Sequence, residues 1–398
     1  DLMSCPCRRF FPERFRTVKD CVYTGDLSLV RNKQLRSLLQ CGTSFRTRVP
    51  RPSPVDAIRA ALAGFAHKIS TKCAVDIRQF DHWIEKVVST VKSRVRRSDT
   101  HGRSFGNGAR KYQRFLHSKL VIVPVDKAFN NAMFVCKHLY LSLLKEEFSL
   151  NGAYVVENRS GMEVLESHRA FLGPRCLEGP SKFGYLYAAP KMHKPNPAQR
   201  FIAAMFDCSL TPCARVLHAA LKMVLVSLRE KDVLLLNEFG YKRFFVVDGY
   251  EMVAHFLSSY HRSNSSTPAL FSGDFSTMYT SIPHQDLLAR INQTCSEAWS
   301  FESERKGYEV ALCIKSRGNS LDSEWTRAGR ACPSFENGQW RFNLSALSAL
   351  VGFVVGNTFV LNNGVLRKQV IGIPMELIRV RIWQIYTCML TSPHLWIN

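Results

Sequence analysis

Apolar residues in the first quarter of the chain recur three and four positions apart, in VDAIRAALAGFAHKI (55–69) and CAVDIRQFDHWIEKVVSTVKSRVRR (73–97). That spacing lines one face of a helix and leaves the other to water, so two amphipathic helices are predicted. The pattern changes near residue 115. KLVIVPVDKAFNNAMFVCKHLYLSLLKEEF predicts a strand, a turn over Asp126 to Asn131, a second strand and then a helix. FGYLYAAPKMHKPNPAQRFIAAMF predicts two strands around a proline-rich turn. TPCARVLHAALKMVLVSLRE predicts a helix with its cap at Thr211 and Pro212 in the first position, where a missing N–H costs nothing.

Farther along, GYEMVAHFLSSY reads as a helix, ALFSGDF as a strand, HQDLLARINQ and LSALSALVGFVVGN as helices, and TFVLN and VLRKQV as short strands. Residues 298 to 342 are polar and weakly periodic, and are expected to form an inserted loop or a partly disordered excursion. The fold class expected is α+β, a sheet with helices on one side. Residues 1–97 form a basic helical N-terminal region, 98–114 a Gly-, Ser- and Arg-rich linker, and 115–240 and 241–375 two mixed regions, the second with the insertion at about 298–342.

At 398 residues with 46% apolar and 11% aromatic side chains, the chain can build two or three domains with real cores, which excludes a disordered tail. A formal charge of +22 puts polyanions first among partners, nucleic acid ahead of an anionic membrane surface. The charge is segregated: through residue 120, 25 Lys and Arg face 9 Asp and Glu. Lys92, Arg94, Arg96 and Arg97 close the second helix, either as a solvated end that favours its own dipole or as contacts to phosphate.

No run of about 18 apolar residues lacks charge, and the opening DLMSCPCRRFFPERF lacks the apolar core of a signal peptide, so an intracellular protein without a membrane segment is expected. Thirteen cysteines are scattered from Cys5 to Cys388 with no C-x-x-C pair. The Cys5-Pro6-Cys7 spacing is not that of a zinc knuckle, and the cysteines are expected to be reduced core residues.

Three segments could carry chemistry. Asp274 ends the apolar run of ALFSGDF, and Tyr279 follows five residues later. A carboxylate fixed at a strand end can hold Mg²⁺ with a substrate phosphate; the alternative is a capping Asp and a core Tyr. PKMHKPNPAQRF holds Lys191, His193, Lys194 and Arg200 around three prolines, which suits a triphosphate or, more plainly, a basic surface hairpin. In VLRKQVIGIPM, Gly372 and Pro374 frame a bend, and Gln369 could meet a base or sugar edge unless the bend is an ordinary turn.

In order and spacing, IVPVDKAFNNAMFVCKHLY, YAAPKMHKPNPAQRFI, GDFSTMYTSIPH and NTFVLNNGVLRKQVIGIPM resemble the fingers and palm of a reverse transcriptase. The segments resemble in particular those of Penelope-like retroelements, with their D-K turn, P-K-x-H-K-P turn, D-x-x-x-L-Y-T-x-I-P-H strand end and Q-x-x-G-x-x-M-G bend; telomerase is similar more distantly. The resemblance spans roughly residues 118 to 375. It implies a right-hand polymerase with fingers over 115–240 and a partial palm over 241–375, making DNA on an RNA template with Mg²⁺ and deoxynucleoside triphosphates. Asp274 would be the catalytic metal ligand with the Phe275 carbonyl nearby, and Tyr279 the aromatic that senses the sugar. Lys191, Lys194 and Arg200 would surround the triphosphate, Asp126 and Lys127 would belong to the fingers, and Gln369, Gly372 and Met375 would form the bend beside the nascent base pair. RNA and DNA are the implied partners, and nuclear residence follows as an expectation.

The chain departs from that pattern after Met375. Relatives continue M-G and soon carry paired aspartates, whereas here Glu376 follows, 376–398 is a divergent tail, and no Asp occurs after Asp322. Two-metal chemistry needs at least two carboxylates. The expectation is therefore a truncated, inactive reverse transcriptase domain with Mg²⁺ held weakly if at all, or a nucleic-acid-binding remnant without catalysis.

Overall fold

The computed structural model describes residues 5–40, 54–73, 76–94, 107–150, 152–171, 181–192, 198–239, 281–318, 320–329, 334–336 and 338–374. Two compact units share them: Asp1–Thr43, Gln113–Phe244 and Phe275–Asn398 form the larger, and Ser44–Tyr112 with Phe245–Asp274 the smaller.

In the larger unit, a short 3-10 turn at Pro6–Arg9 leads to a hairpin of β1 (Arg16–Val18) and β2 (Cys21–Thr24). Lys19 and Asp20 between them have φ of 46° and 58°. Two positive φ values in a two-residue turn match the natural twist of the strands it joins. Helix α1 (Lys33–Leu39) is capped by Asn32, whose side chain accepts from the Leu35 N–H.

The smaller unit is described through α2 (Pro54–Cys73) and α3 (Asp81–Arg94), which meet at Ala66, Ile84 and Val88 with Val55, Leu62 and Phe80 against them. Arg59 and Glu85 pair across the two helices. Both helices form where the apolar spacing predicts them, the second starting only at Asp81 after a turn at Ile77–Phe80.

Two expected boundaries are corrected. Residues 1–97 are not one helical region: β2 pairs with a strand more than a hundred residues away, Tyr23 opposite Val135, which ties the first 43 residues to the larger unit. The linker expected over 98–114 is helical from residue 107, as part of α4 (Asn107–Lys119). Buried Leu116 and the edge-on Phe10–Phe115 pair at 5.9 Å anchor that helix, apolar contacts that its Gly- and Arg-rich start does not advertise.

Helix α4 runs into β3 (Leu120–Val125), which pairs antiparallel with β4 (Ala128–Cys136) in a sheet ordered β1-β2-β4-β3. The turn is tighter than expected, only Asp126 and Lys127. Then come α5 (Lys137–Leu150), β5 (Tyr154–Val156) and α6 (Gly161–Phe171). Ser160 and Glu163 cap α6 reciprocally, each side chain accepting from the other's N–H. The predicted hairpin forms as β6 (Tyr185–Pro190) and β7 (Gln199–Ala204), followed by α7 (Thr211–Phe239).

Residues 281–374 supply α8 (His284–Lys306), β8 (Val310–Arg317), β9 (Ser320–Arg327), β10 (Ser334–Glu336), β11 (Gln339–Phe342), α9 (Leu344–Gly356), β12 (Phe359–Asn362) and β13 (Val365–Gln369). The expected polar excursion at 298–342 is thereby overturned. Its first nine residues extend α8 to a left-handed Gly307, and the rest builds an antiparallel sheet ordered β10-β11-β8-β9. Val310 to Ile314 are fully buried beneath α7 and α8, so this segment contributes core.

The observed class is mixed α and β with antiparallel sheets. The two mixed regions are joined by pairing: β5 adds to β13, Tyr154 opposite Gln369, and Leu361 N–H donates to Gly184 O at 2.8 Å. Gly184 is required there, since a Cβ would sit 2.7 Å from Ala204 O. Among the described residues, one helical stretch, Thr211–Leu234 in α7, is long and apolar enough to cross a bilayer by length and composition; 61% of its most apolar window is buried, against α8, α9, β8 and β9.

Candidate functional site

The sheet edge at Asp126 and the basic hairpin meet. Asp126 N–H donates to Pro190 O at 2.9 Å, and Lys191 N–H closes the hairpin onto Ala198 O, also at 2.9 Å. In the hairpin register Ala189 faces Arg200, which brings the guanidinium Nε to 3.4 Å from Asp126 Oδ1. Asp126 is buried, and its other oxygen has no hydrogen-bond partner. Gln199 donates to the Tyr23 hydroxyl at 2.9 Å, fastening the hairpin to β2 as well. Lys127, at the turn apex with φ of 61°, is exposed, and Lys191 is half-buried.

A second junction joins the I-P-H and G-I-P segments. Pro283 bridges to Ile371, Gly372 N–H donates to Ile282 O at 2.8 Å, and His284 Nε2 lies 2.7 Å from Gly372 O. Gly372 has φ of 77°, a left-handed conformation natural to glycine. Burial, with Lys368 nearby, holds the His284 imidazole below its ordinary value despite the bond to Gly372, so at neutral pH it is the uncharged donor to that carbonyl.

Gln369 is buried at the end of β13. Its backbone N–H donates to Thr358 O at 2.8 Å and its side-chain amide to Ile371 O at 3.0 Å, so it braces the bend from within. Its Oε1 is buried without a partner. A buried polar atom without a partner is costly.

Four predicted segments therefore contribute to two junctions, Asp126 with Arg200 and the Ile282–His284 turn with Gly372. Lys92 lies exposed on α3, and Arg94 ends that helix. Asp274, Phe275, Tyr279, Lys194, Met375, Arg96 and Arg97 lie outside the described residues. His284 was missed as a positioning residue, although it stands in the quoted I-P-H sequence; a ring nitrogen following a proline turn was its only signal. A cluster of four cysteines was missed as well.

No family model matches the chain, and no curated protein matches it. Among solved structures, that of apo telomerase from Candida tropicalis is similar, with a TM-score of 0.40 and 11% identity over 90% of this chain and 60% of that one. The chain thus spans less than two thirds of the telomerase it resembles.

Proposed function

We propose that the chain is a reverse transcriptase domain of Penelope-like type, with fingers and part of a palm, that binds RNA and DNA through its basic surface. The observation that carries this reading is the ordered set of motif segments, supported by the meeting of Asp126 with Arg200 and of Ile282 and His284 with Gly372. In this reading Arg200, Lys191 and Lys194 neutralise an incoming triphosphate, Gln369 and the Gly372–Met375 bend support the nascent pair, and Tyr279 excludes a 2′-hydroxyl. Asp274 and the Phe275 carbonyl would hold Mg²⁺, which supplies charge neutralisation at the reacting phosphate. Nuclear residence belongs to the same reading.

These 398 residues place no Asp after Asp322, so a second metal-binding carboxylate downstream of Asp274 in the family's position is absent from them. The activity expected of this stretch by itself is nucleic-acid binding without primer extension. The test measures both. Anisotropy with single-stranded RNA and DNA should show affinity falling steeply between about 50 and 200 mM salt, as counterion release requires. Primer extension on an RNA template with deoxynucleotides and Mg²⁺ should not exceed that of Asp274→Ala. Extension above that control overturns the inactive reading; binding indifferent to salt overturns the nucleic-acid reading.

A further inference from the structure

Four cysteines distant in sequence converge in the larger unit. Cys5 and Cys7 flank Pro6 at the start of the first turn, Cys21 follows the Lys19-Asp20 turn, and Cys136 is the last residue of β4. Their sulfurs all lie within 4.8 Å of one another, with Cys5 Sγ 3.1 Å from Cys7 Sγ and 3.0 Å from Cys136 Sγ. All four are buried and none is in a disulfide.

We propose that Cys5, Cys7, Cys21 and Cys136 form a structural tetrathiolate zinc site. Four sulfurs bound tetrahedrally at about 2.3 Å from one ion stand roughly 3.8 Å apart, so a group within 4.8 Å needs only small rotamer adjustments to close on a single metal. A polynuclear iron–sulfur cluster would hold its thiolates around several metal atoms and needs a wider cage.

The surroundings are built for thiolates. Backbone N–H groups bear on three of the sulfurs: that of Cys7 on Cys5, that of Val22 on Cys7, and those of His138 and Leu139 on Cys136. The last two are the free amides at the N-terminus of α5, where the helix dipole favours negative charge. Amide donors aimed at sulfur favour the thiolate over the thiol, which accepts only weakly. A divalent cation uses all of them, because it binds the ionised form and neutralises most of its charge.

The spacing explains why no motif announces the site. Cys5-Pro6-Cys7 gives two ligands, the start of β2 the third, and the end of β4 the fourth, 115 residues further on. The ion would tie the amino-terminal turn and hairpin to the end of β4 and the start of α5, closing a loop that spans a third of the chain.

The full chain, expressed in zinc-supplemented medium and purified under reducing conditions, tests this by elemental analysis. About one zinc per chain is expected for the native sequence and for Cys295→Ser, a buried cysteine outside the cluster, and near none for Cys21→Ser/Cys136→Ser. Because the double variant could lose its fold, the native chain is also stripped with a chelator and titrated with Co²⁺. A thiolate-to-cobalt charge-transfer band with tetrahedral visible bands, saturating at one equivalent, is expected. A folded native chain that carries no zinc and gives no cobalt spectrum overturns the proposal, as does finding these cysteines in disulfides. Iron in place of zinc would overturn the metal assigned.

Discussion

Arg200 reaches back across 74 residues of sequence to place its Nε 3.4 Å from Oδ1 of Asp126, and the two partners are unequally exposed: the aspartate side chain is 4% accessible and the arginine side chain 35%. The pair is therefore asymmetric in what each loses on deletion. Arg200→Ala leaves a buried carboxylate with no counter-charge and is expected to cost about 2–3 kcal/mol. Asp126→Ala leaves an arginine that can turn to water and should cost about 1 kcal/mol. Urea midpoints of the two variants check the order, and a larger loss for Asp126→Ala would show that the carboxylate is not held by Arg200.

The bend at Gly372 depends on a backbone conformation and on one imidazole. Gly372→Ala should cost about 1–2 kcal/mol, because φ of 77° crowds a Cβ against the following carbonyl. His284→Ala should cost about 1 kcal/mol through the bond to Gly372 O. As both act on one turn, the double variant should lose less than the sum. Strict additivity in thermal melts would mean that His284 does not hold the bend.

Acid should weaken the fold through His168. Its ring lies 5.9 Å from Phe353 and 5.8 Å from Phe359, with Nδ1 2.9 Å from Ser209 Oγ. Burial, helped by the nearby Arg159 charge, lowers its value from 6.5 to about 4. The unfolded chain thus binds the proton first, and the stability gained from neutral His168, complete above about 6.5, drains away as pH falls toward 4, by an amount on the order of 3 kcal/mol. His168→Gln should flatten the dependence of the urea midpoint between those limits. An unchanged slope would assign the sensitivity to other groups.

Glu302 sits fully buried on α8 among partners from three elements: Ser227 donates to Oε1 at 2.7 Å, Arg305 to Oε2 at 2.7 Å, and Trp325 Nε1 to Ser227 Oγ at 2.8 Å. Glu302→Ala takes the carboxylate acceptor from the Ser227 hydroxyl and the buried counter-charge from Arg305, and should cost about 2–4 kcal/mol. Glu302→Gln retains the shape and one acceptor and should cost about half as much. The near-ultraviolet circular dichroism of the perpendicular Trp299–Trp325 pair, 4.5 Å apart, reports the same loss directly.

That glutamate also explains what the sequence concealed. Along α8 the inward positions are Leu287, Ile291, Cys295, Ala298, Trp299 and Glu302, so the helical repeat continues while its last buried position is charged. The expected helix stops at Gln293, because the inward Cys295, Ala298 and Trp299 beyond it stand among Ser and Glu and end on that charged position, so the stretch looks like loop. Strand β9, SLDSEWTR, lies at a sheet edge and alternates weakly, its outer face carrying Asp322 and Glu324 opposite Lys315 and Arg317. Such edges are written in polar residues and read as loop. By contrast, the β3–β4 and β6–β7 hairpins, α7, α9 and β12–β13 were legible, because their apolar runs and their Pro, Gly and Asn turns point to the same elements. Of the site, the partners Asp126 and Arg200 were each visible as residues, but their contact was not, since only the packed hairpin brings them together. The cysteines were visible and their convergence was hidden, because a ligand set gathered from three elements has no local spacing.

The pairing of β5 with β13 also sets a clock. Strand β5 ends at Val156 and its partner begins at Val365, so during synthesis the first must wait while more than two hundred residues are added. At about 5–20 residues per second that is roughly 10 to 40 seconds in which Val155 and Val156 have no strand beside them. In the finished molecule both still face outward, 45% and 61% accessible. A nascent chain of this protein is thus exposed to mispairing at that strand, and a holdase that covers it would have to let go only after β13 has left the ribosome.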